Sequence, residues 1–253
     1  MKLGIIGTKN EEIEKLFELI SEKEIIERGD RIYYSGKLEE IDVVVVFSRW
    51  GKVAAAITVT NLIVEFGVNQ ILFAGMAQSL SDDLNKGDIV VAQRLYQHDM
   101  DMRPLMHRFE IPFLGKTSIE LSQEYVNMGM QTGHRFLKMH NVKINKDEKR
   151  RGKINNSKMH IGDIATGDLC ISNLSMRKSL NRNIPSAVCA DLESAAVAQV
   201  CNDFRIPLCV IHVISDIINT NEETPEISFE ERYEGQFLQN ISITYIQLLT
   251  QKE

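Results

Sequence analysis

Asp42-Val43-Val44-Val45-Val46-Phe47 is the stretch on which the fold turns. Its consecutive valines are β-branched and favour a strand. They do not alternate with polar residues, as a strand with one wet face would. The run therefore reads as a strand covered on both faces, the situation of a parallel sheet between helical layers. The next segments agree. Lys52–Phe66 carries the apolar spacing of a helix, Gly67 supplies its C-terminal cap, and Gln70–Phe73 is another short buried strand.

The same alternation extends in both directions. Upstream, Lys2–Ile6 reads as a strand, Glu11–Ile20 as a helix with Ile13, Leu16, Phe17 and Ile20 on one face, and Arg31–Tyr34 as a strand. Downstream, Asp88–Ala92 and Leu95–His98 read as two strands, and Met102–Lys116, with Pro104, Pro112 and Gly115, as a loop. Ser118–His140 has a long helical pattern with Ser118 placed as its N-cap. The basic, non-periodic Lys146–Lys158 reads as a solvated surface loop. Strands at Met159–Thr166, Ala187–Ala190 and Pro207–Ile214 alternate with helices at Ser194–Asp203 and Ser228–Thr250. This order predicts an α/β three-layer sandwich, with a central mixed, mostly parallel twisted sheet flanked by helices. No repeat or linker divides the chain, so residues 1–253 are expected to form a single domain.

Composition narrows the function. The chain has 253 residues, 43% hydrophobic and 25% charged, with a net charge of −6. That is ordinary globular usage, and the acidic balance disfavours a nucleic-acid partner. No run reaches membrane-spanning length, and Met1-Lys2-Leu3-Gly4-Ile5-Ile6-Gly7 is too short for a signal-peptide core, so a cytoplasmic protein is expected. Cys170, Cys189, Cys201 and Cys209 have no Cys-x-x-Cys or histidine spacing that would hold zinc. The last three sit among apolar residues, as buried reduced thiols do.

In such sheets ligands bind beyond the carboxyl ends of strands, so strand ends carry the functional weight. Gly7-Thr8-Lys9-Asn10-Glu11-Glu12 lacks the further glycines of a phosphate loop, and acids in a first helical turn commonly serve the helix dipole. Phe73-Ala74-Gly75-Met76-Ala77 is a small-residue turn that would let a ligand approach the backbone. Cys189-Ala190-Asp191-Leu192-Glu193-Ser194 sets two acids in an apolar strand-to-helix junction, where half-buried carboxylates mark a site. Val210-Ile211-His212-Val213-Ile214-Ser215-Asp216 ends a buried strand on Ser-Asp. That pair could cap a helix, but a polar loop follows instead.

Taken in order, these junctions resemble the 5'-methylthioadenosine/S-adenosylhomocysteine nucleosidases of the purine nucleoside phosphorylase superfamily. The resemblance rests on Lys2–Gly7 with Glu11-Glu12, Gly51-Lys52-Val53-Ala54-Ala55-Ala56 and Gly87-Asp88-Ile89-Val90-Val91. It continues through His98-Asp99-Met100-Asp101, Thr166-Gly167-Asp168, Glu193 and Ile214-Ser215-Asp216, nearly the whole chain. It implies a nucleoside phosphorylase-like fold and hydrolysis of an adenine–ribose bond through a cationic sugar. Asp216 is then the general acid towards adenine N7, with Ser215 holding it, and Glu12 the general base that activates water. Glu193 accepts the ribose hydroxyls as an ionised carboxylate. The backbone of Ile171 reads the adenine edge, and Phe229 is a lid near the ribose. Phe109 and Pro112 enter a neighbour's pocket, which implies a homodimer. No cofactor and no metal are implied.

The departures from the family pattern cluster. Met76 stands where the family usually has serine, and His212 where it usually has arginine, so the water loses two polar partners. Leu192 replaces a methionine, Cys170 an aromatic ring over adenine, and Trp50 a smaller aliphatic residue. Lys9 replaces an apolar residue and is read as pointing to solvent. The sequence leaves three readings: a nucleosidase, a nucleoside-binding homologue with impaired catalysis, and, as the weakest, a phosphorylase. A phosphorylase would need a cationic phosphate site that His212 weakens.

Overall fold

The computed structural model describes residues 1–147, 157–217 and 230–251, and side chains within 1–139, 157–215 and 237–251. The strands are β1 (Lys2–Gly7), β2 (Ser21–Arg28), β3 (Arg31–Leu38), β4 (Ile41–Phe47), β5 (Gln70–Ser79), β6 (Ile89–Gln97), β7 (Ile119–Glu120), β8 (Met159–Thr166), β9 (Ala187–Asp191) and β10 (Leu208–Ile217). The helices are α1 (Asn10–Glu18), α2 (Lys52–Val64), α3 (Gln123–Asp147), α4 (Leu174–Asn183), α5 (Ser194–Phe204) and α6 (Glu230–Thr250).

All ten strands join one mixed sheet, in the order β10-β6-β8-β9-β5-β1-β4-β3-β2 with β7 on β6. The valine run behaves as its composition requires. Val43 and Val45 pack with Ile13 and Leu16 of α1, while Val44 and Val46 pack with Ala55, Val59 and Leu62 of α2. Both faces of β4 are therefore buried, and no alternation could appear. The layer of α1, α3 and α6 covers one side of the sheet, and α2 and α5 cover the other.

The sheet departs from an open sandwich in one respect. β10 pairs with β5 in parallel from Leu208 to Ile217 and with β6 antiparallel, while β5 also pairs with β9. The path β5-β10-β6-β8-β9 thus returns to β5 and closes like a barrel, with β1, β4, β3 and β2 extending from it. Closure needs curvature, and register shifts supply it between Ala92 and Arg94 in β6 and between Ile214 and Asp216 in β10. The first of these makes β6 one irregular strand where two were expected.

Other boundaries moved for physical reasons. Ile119–Glu120 pairs with β6, so α3 starts at Gln123 and Ser118 is not its cap. β2 is almost wholly exposed and charged, so its residues carry no periodic signal. Most of Lys146–Lys158 lies outside the described residues. Cys189, Cys201 and Cys209 are buried as free thiols, and burial pushes Cys201 and Cys209 up to about 12. Among the described residues no helix is long and apolar enough to cross a membrane.

Candidate active site

The site forms where β5 changes partners. Along one edge β5 carries β10. Along the other it carries β1 only over Gln70–Phe73 and β9 only at Gln78–Ser79. β1 runs parallel to β5 and β9 antiparallel, so their carboxyl ends point head to head into the gap at Ala74–Ala77. A switch of this kind is where α/β sheets bind ligands. A cavity of about 250 Å³ opens there. Thr8 follows β1 and Trp50 follows β4; Met76, Ala77 and Gln78 come from β5, and Leu169, Cys170 and Ile171 from the loop after β8. Ala190, Asp191, Leu192 and Glu193 form the β9–α5 junction, and Ser215 comes from β10. Gly75 lies between Thr8 and His212: a Cβ there would come within 2.7 Å of the Thr8 Cγ2 and 3.3 Å of the His212 Cε1.

Glu193 occupies the N-cap position of α5 and is buried. Its Oε1 accepts the Gly51 N–H at 3.3 Å. Burial and then the negative charge of Asp191 push its carboxyl up to about 8, against the N–H groups of Gly51 and Leu192. Desolvation outweighs the donors around it and shifts Glu193 towards its protonated form, whereas the sequence reading expects an ionised carboxylate.

Gly51 is held by a clamp at the rim. Its φ of +94° suits glycine, and a Cβ would meet Asp168 Oδ1 at 3.0 Å. The Lys52 N–H donates to Asp168 Oδ1 at 2.8 Å, and the Asp168 N–H to Asp99 Oδ2 at 2.9 Å. Lys52 Nζ closes the ring on Asp99 Oδ1 at 2.6 Å. Burial opposes the charge on Asp99, but Lys52 and the Asp168 N–H hold its carboxyl below the ordinary value.

The floor is a second polar cluster. Asp191 Oδ1 accepts the Thr166 hydroxyl at 2.5 Å, and Oδ2 accepts the Ser194 N–H at 3.1 Å and the Ser194 hydroxyl. His212 Nε2 lies 2.9 Å from Asp191 Oδ2 and 2.8 Å from Ser194 Oγ. The Ala195 N–H donates to Thr166 Oγ1 at 2.9 Å. These contacts take up free amides of the first turn of α5. Burial works against charge on Asp191, yet His212, Ser194 and Thr166 keep its carboxyl below the usual range.

Most of the sequence-derived residues meet here: Trp50, Met76, Cys170, Ile171, Leu192, Glu193 and Ser215 all line the cavity. Others do not. His212 is fully buried beneath the cavity, because the pleat of β10 turns it towards α5 and edge-on to Phe73 at 5.1 Å. It therefore does not face a water in the cavity. Phe109 is packed within its own chain with Leu80 and Ile171, whereas Phe113, 98% exposed, is the outward aromatic of that loop. Pro112 is half-buried in the same loop. Glu12 is buried in the first turn of α1, and Lys9 is half-buried at its N-cap; neither lines the cavity. The side chain of Asp216 and all of Phe229 lie outside the described residues, although the Asp216 backbone pairs with Gln78. Sequence reasoning missed Thr8, Gln78 and Leu169 as lining residues. It noticed Asp191 as an acid at the junction without assigning it a place.

Buried carboxyls beside apolar walls at a sheet switch point define an α/β protein that binds a small molecule with both polar and apolar parts. The chain belongs to the phosphorylase superfamily, whose family model matches residues 2–246. It is 30% identical to an aminodeoxyfutalosine nucleosidase of Helicobacter pylori over 91% of this chain and 90% of the relative. It is also 30% identical to a 5'-methylthioadenosine/S-adenosylhomocysteine nucleosidase of Staphylococcus haemolyticus, over 90% and 91%. Among solved structures, the methylthioadenosine/S-adenosylhomocysteine nucleosidase of Colwellia psychrerythraea in complex with adenine superposes with a TM-score of 0.81 at 26% identity, covering 98% of this chain and 96% of that one.

Proposed function

We propose that this protein is a purine nucleoside hydrolase that releases adenine from 5'-methylthioadenosine or S-adenosylhomocysteine, leaving a 5'-thioribose. The observation that carries this reading is Glu193, buried at the sheet switch and facing the cavity beside Ser215. In the reaction the C1'–N9 bond breaks and water adds at C1'. Asp216 gives its proton to adenine N7, so the base leaves neutral, and the family pattern assigns the proton of the water to Glu12, in the first turn of α1 four residues on from the lining residue Thr8. Glu193 receives the ribose hydroxyls and, once ionised, stabilises the positive sugar. Leu169, Ile171 and Leu192 supply the apolar wall against which a purine packs.

The alternative of a binding homologue with impaired turnover rests on Met76 and His212. Of the two changed water-holding positions, only Met76 lines the cavity, because His212 is buried under the floor, which favours turnover. A homodimer fits the apolar side chains left exposed on α2, Val53, Ile57 and Val64, together with Leu105 and Phe113. The test is adenine release from a panel of methylthioadenosine, S-adenosylhomocysteine and aminodeoxyfutalosine, with and without phosphate. The reading expects phosphate-independent release, and it falls if no nucleoside yields adenine.

A further inference from the structure

His212 sits in an arrangement that superficially suggests a nucleophilic triad with Ser194 and Asp191. The geometry excludes that use. Serine and aspartate both contact the same ring nitrogen, Nε2, whereas a relay needs one partner on each nitrogen. The other nitrogen, Nδ1, lies 3.2 Å from the carbonyl of Ile211. Ser194 and His212 are also fully buried, so no substrate atom reaches the hydroxyl.

What the cluster does is fix a turn. Asp191 ends β9, and Glu193, two residues on, is the N-cap of α5. The Glu193 carbonyl accepts the N–H groups of Ala196 and Val197 at 3.0 and 3.1 Å, so its backbone is already part of the helix. The Asp191 carboxylate gathers the contacts of the segment between strand and helix, through Ser194 on its own chain segment, Thr166 of β8 and His212 of β10. His212 is the contact that ties this junction to β10, the strand that also carries Ser215 and Asp216.

We propose that His212 is a positioning residue: by holding Asp191 it fixes the β9–α5 turn, and with it the place of Glu193 relative to β10. This rests on the nucleosidase reading, in which Glu193 meets the ribose and β10 meets the base. The ribose-binding group and the base-protonating strand are thereby locked in one register, as a reaction across the bond joining ribose and base requires. A buried carboxylate that loses one partner is left with uncompensated charge, so the turn moves when His212 is removed.

The experiment compares His212→Leu with His212→Gln, whose amide nitrogen can take the place of Nε2. Three quantities are measured: KM and kcat for methylthioadenosine, the inhibition constant of adenine, and Tm. For His212→Leu, KM rises at least about tenfold, the range of a lost hydrogen bond to a charged group. Adenine, which lacks the ribose, keeps its inhibition constant within about twofold, while His212→Gln recovers most of the KM. If His212→Leu does not fold, Ser194→Ala carries the same test, with KM rising about threefold and the adenine constant unmoved. An unchanged KM, or a KM and an adenine constant that rise together, overturns the positioning role while leaving the nucleosidase reading intact. A wild-type protein that neither cleaves nor binds methylthioadenosine overturns both.

Discussion

The floor and the rim of the cavity are built differently. On the floor, Thr166, Asp191, Ser194 and His212 are buried and joined by several hydrogen bonds each. At the rim, Leu169, Cys170 and Trp50 are exposed, and Trp50, 70% accessible, is tied by a single bond from its Nε1–H to the Thr8 carbonyl at 3.1 Å. The clamp of Lys52, Asp99 and Asp168 lies between the two in burial. The difference follows a division of labour. A floor that positions the side chains of a site must be fixed to a fraction of an ångström, whereas a mouth that admits a ligand must give.

Glu193 is where the floor meets the cavity, and its loss is the sharpest break in that comparison. Glu193→Gln keeps the shape but cannot become a carboxylate, so kcat/KM for methylthioadenosine is expected to fall by about 10²–10³, as when one transition-state stabilising group is removed. Its proton gives a second, independent readout. The Glu193 carboxyl goes from an ordinary value of 4.5 to about 8 on folding. Between those values the folded state holds more protons than the unfolded one, so stability falls as pH rises. The contribution is complete below the lower value and is lost as pH passes the upper one. Tm measured from about pH 5 to about pH 8 is expected to decline in the wild type and to decline less in Glu193→Gln. Equal slopes would show that Glu193 titrates normally.

The sequence revealed the floor in part and the rim hardly at all. The β4 valine run, the acids at 191 and 193 and the Ser215-Asp216 strand end were legible because burial and strand ends leave marks in local composition. The expected site residues mostly gather around one cavity for that reason. His212 was legible as a residue but not as a contact. A strand's pleat decides which face it takes, and the register shift after Ile214 cannot be read from spacing. The inward packing of Phe109 and the exposure of Phe113 were not legible because a sequence gives no sign of which aromatic of a loop turns inward. Barrel closure was hidden because it depends on β5 pairing with three strands, a property of none of them alone.

The clamp tests whether the rim acts on the floor. Lys52→Met removes the ammonium from Asp99 while keeping the length of the side chain. The pair is partly exposed, so the stability loss is expected to be about 1 kcal/mol. The effect on function runs through Gly51. With the Asp99 and Asp168 ring opened, the Gly51 N–H drifts from Glu193 Oε1, and KM for the nucleoside rises about threefold to fivefold with kcat little changed. A change in kcat alone would mean that Lys52 acts on chemistry and not on the presentation of Glu193.

Trp50 should have the smallest effect and report most directly on the rim. It is the only tryptophan of the chain, so its fluorescence describes one place. Its ring lines the cavity while remaining mostly in water, and a bound nucleoside takes some of that water away. Adding methylthioadenosine to a turnover-deficient Glu193→Gln protein is expected to shift the emission to shorter wavelength, whereas adenine alone shifts it less if Trp50 faces the sugar side. Trp50→Phe keeps an aromatic wall and removes the bond to Thr8. Because that bond is partly exposed, KM is expected to change by no more than about threefold. A larger loss would place Trp50 with the floor, as a fixed group, and would erase the contrast drawn between the two regions.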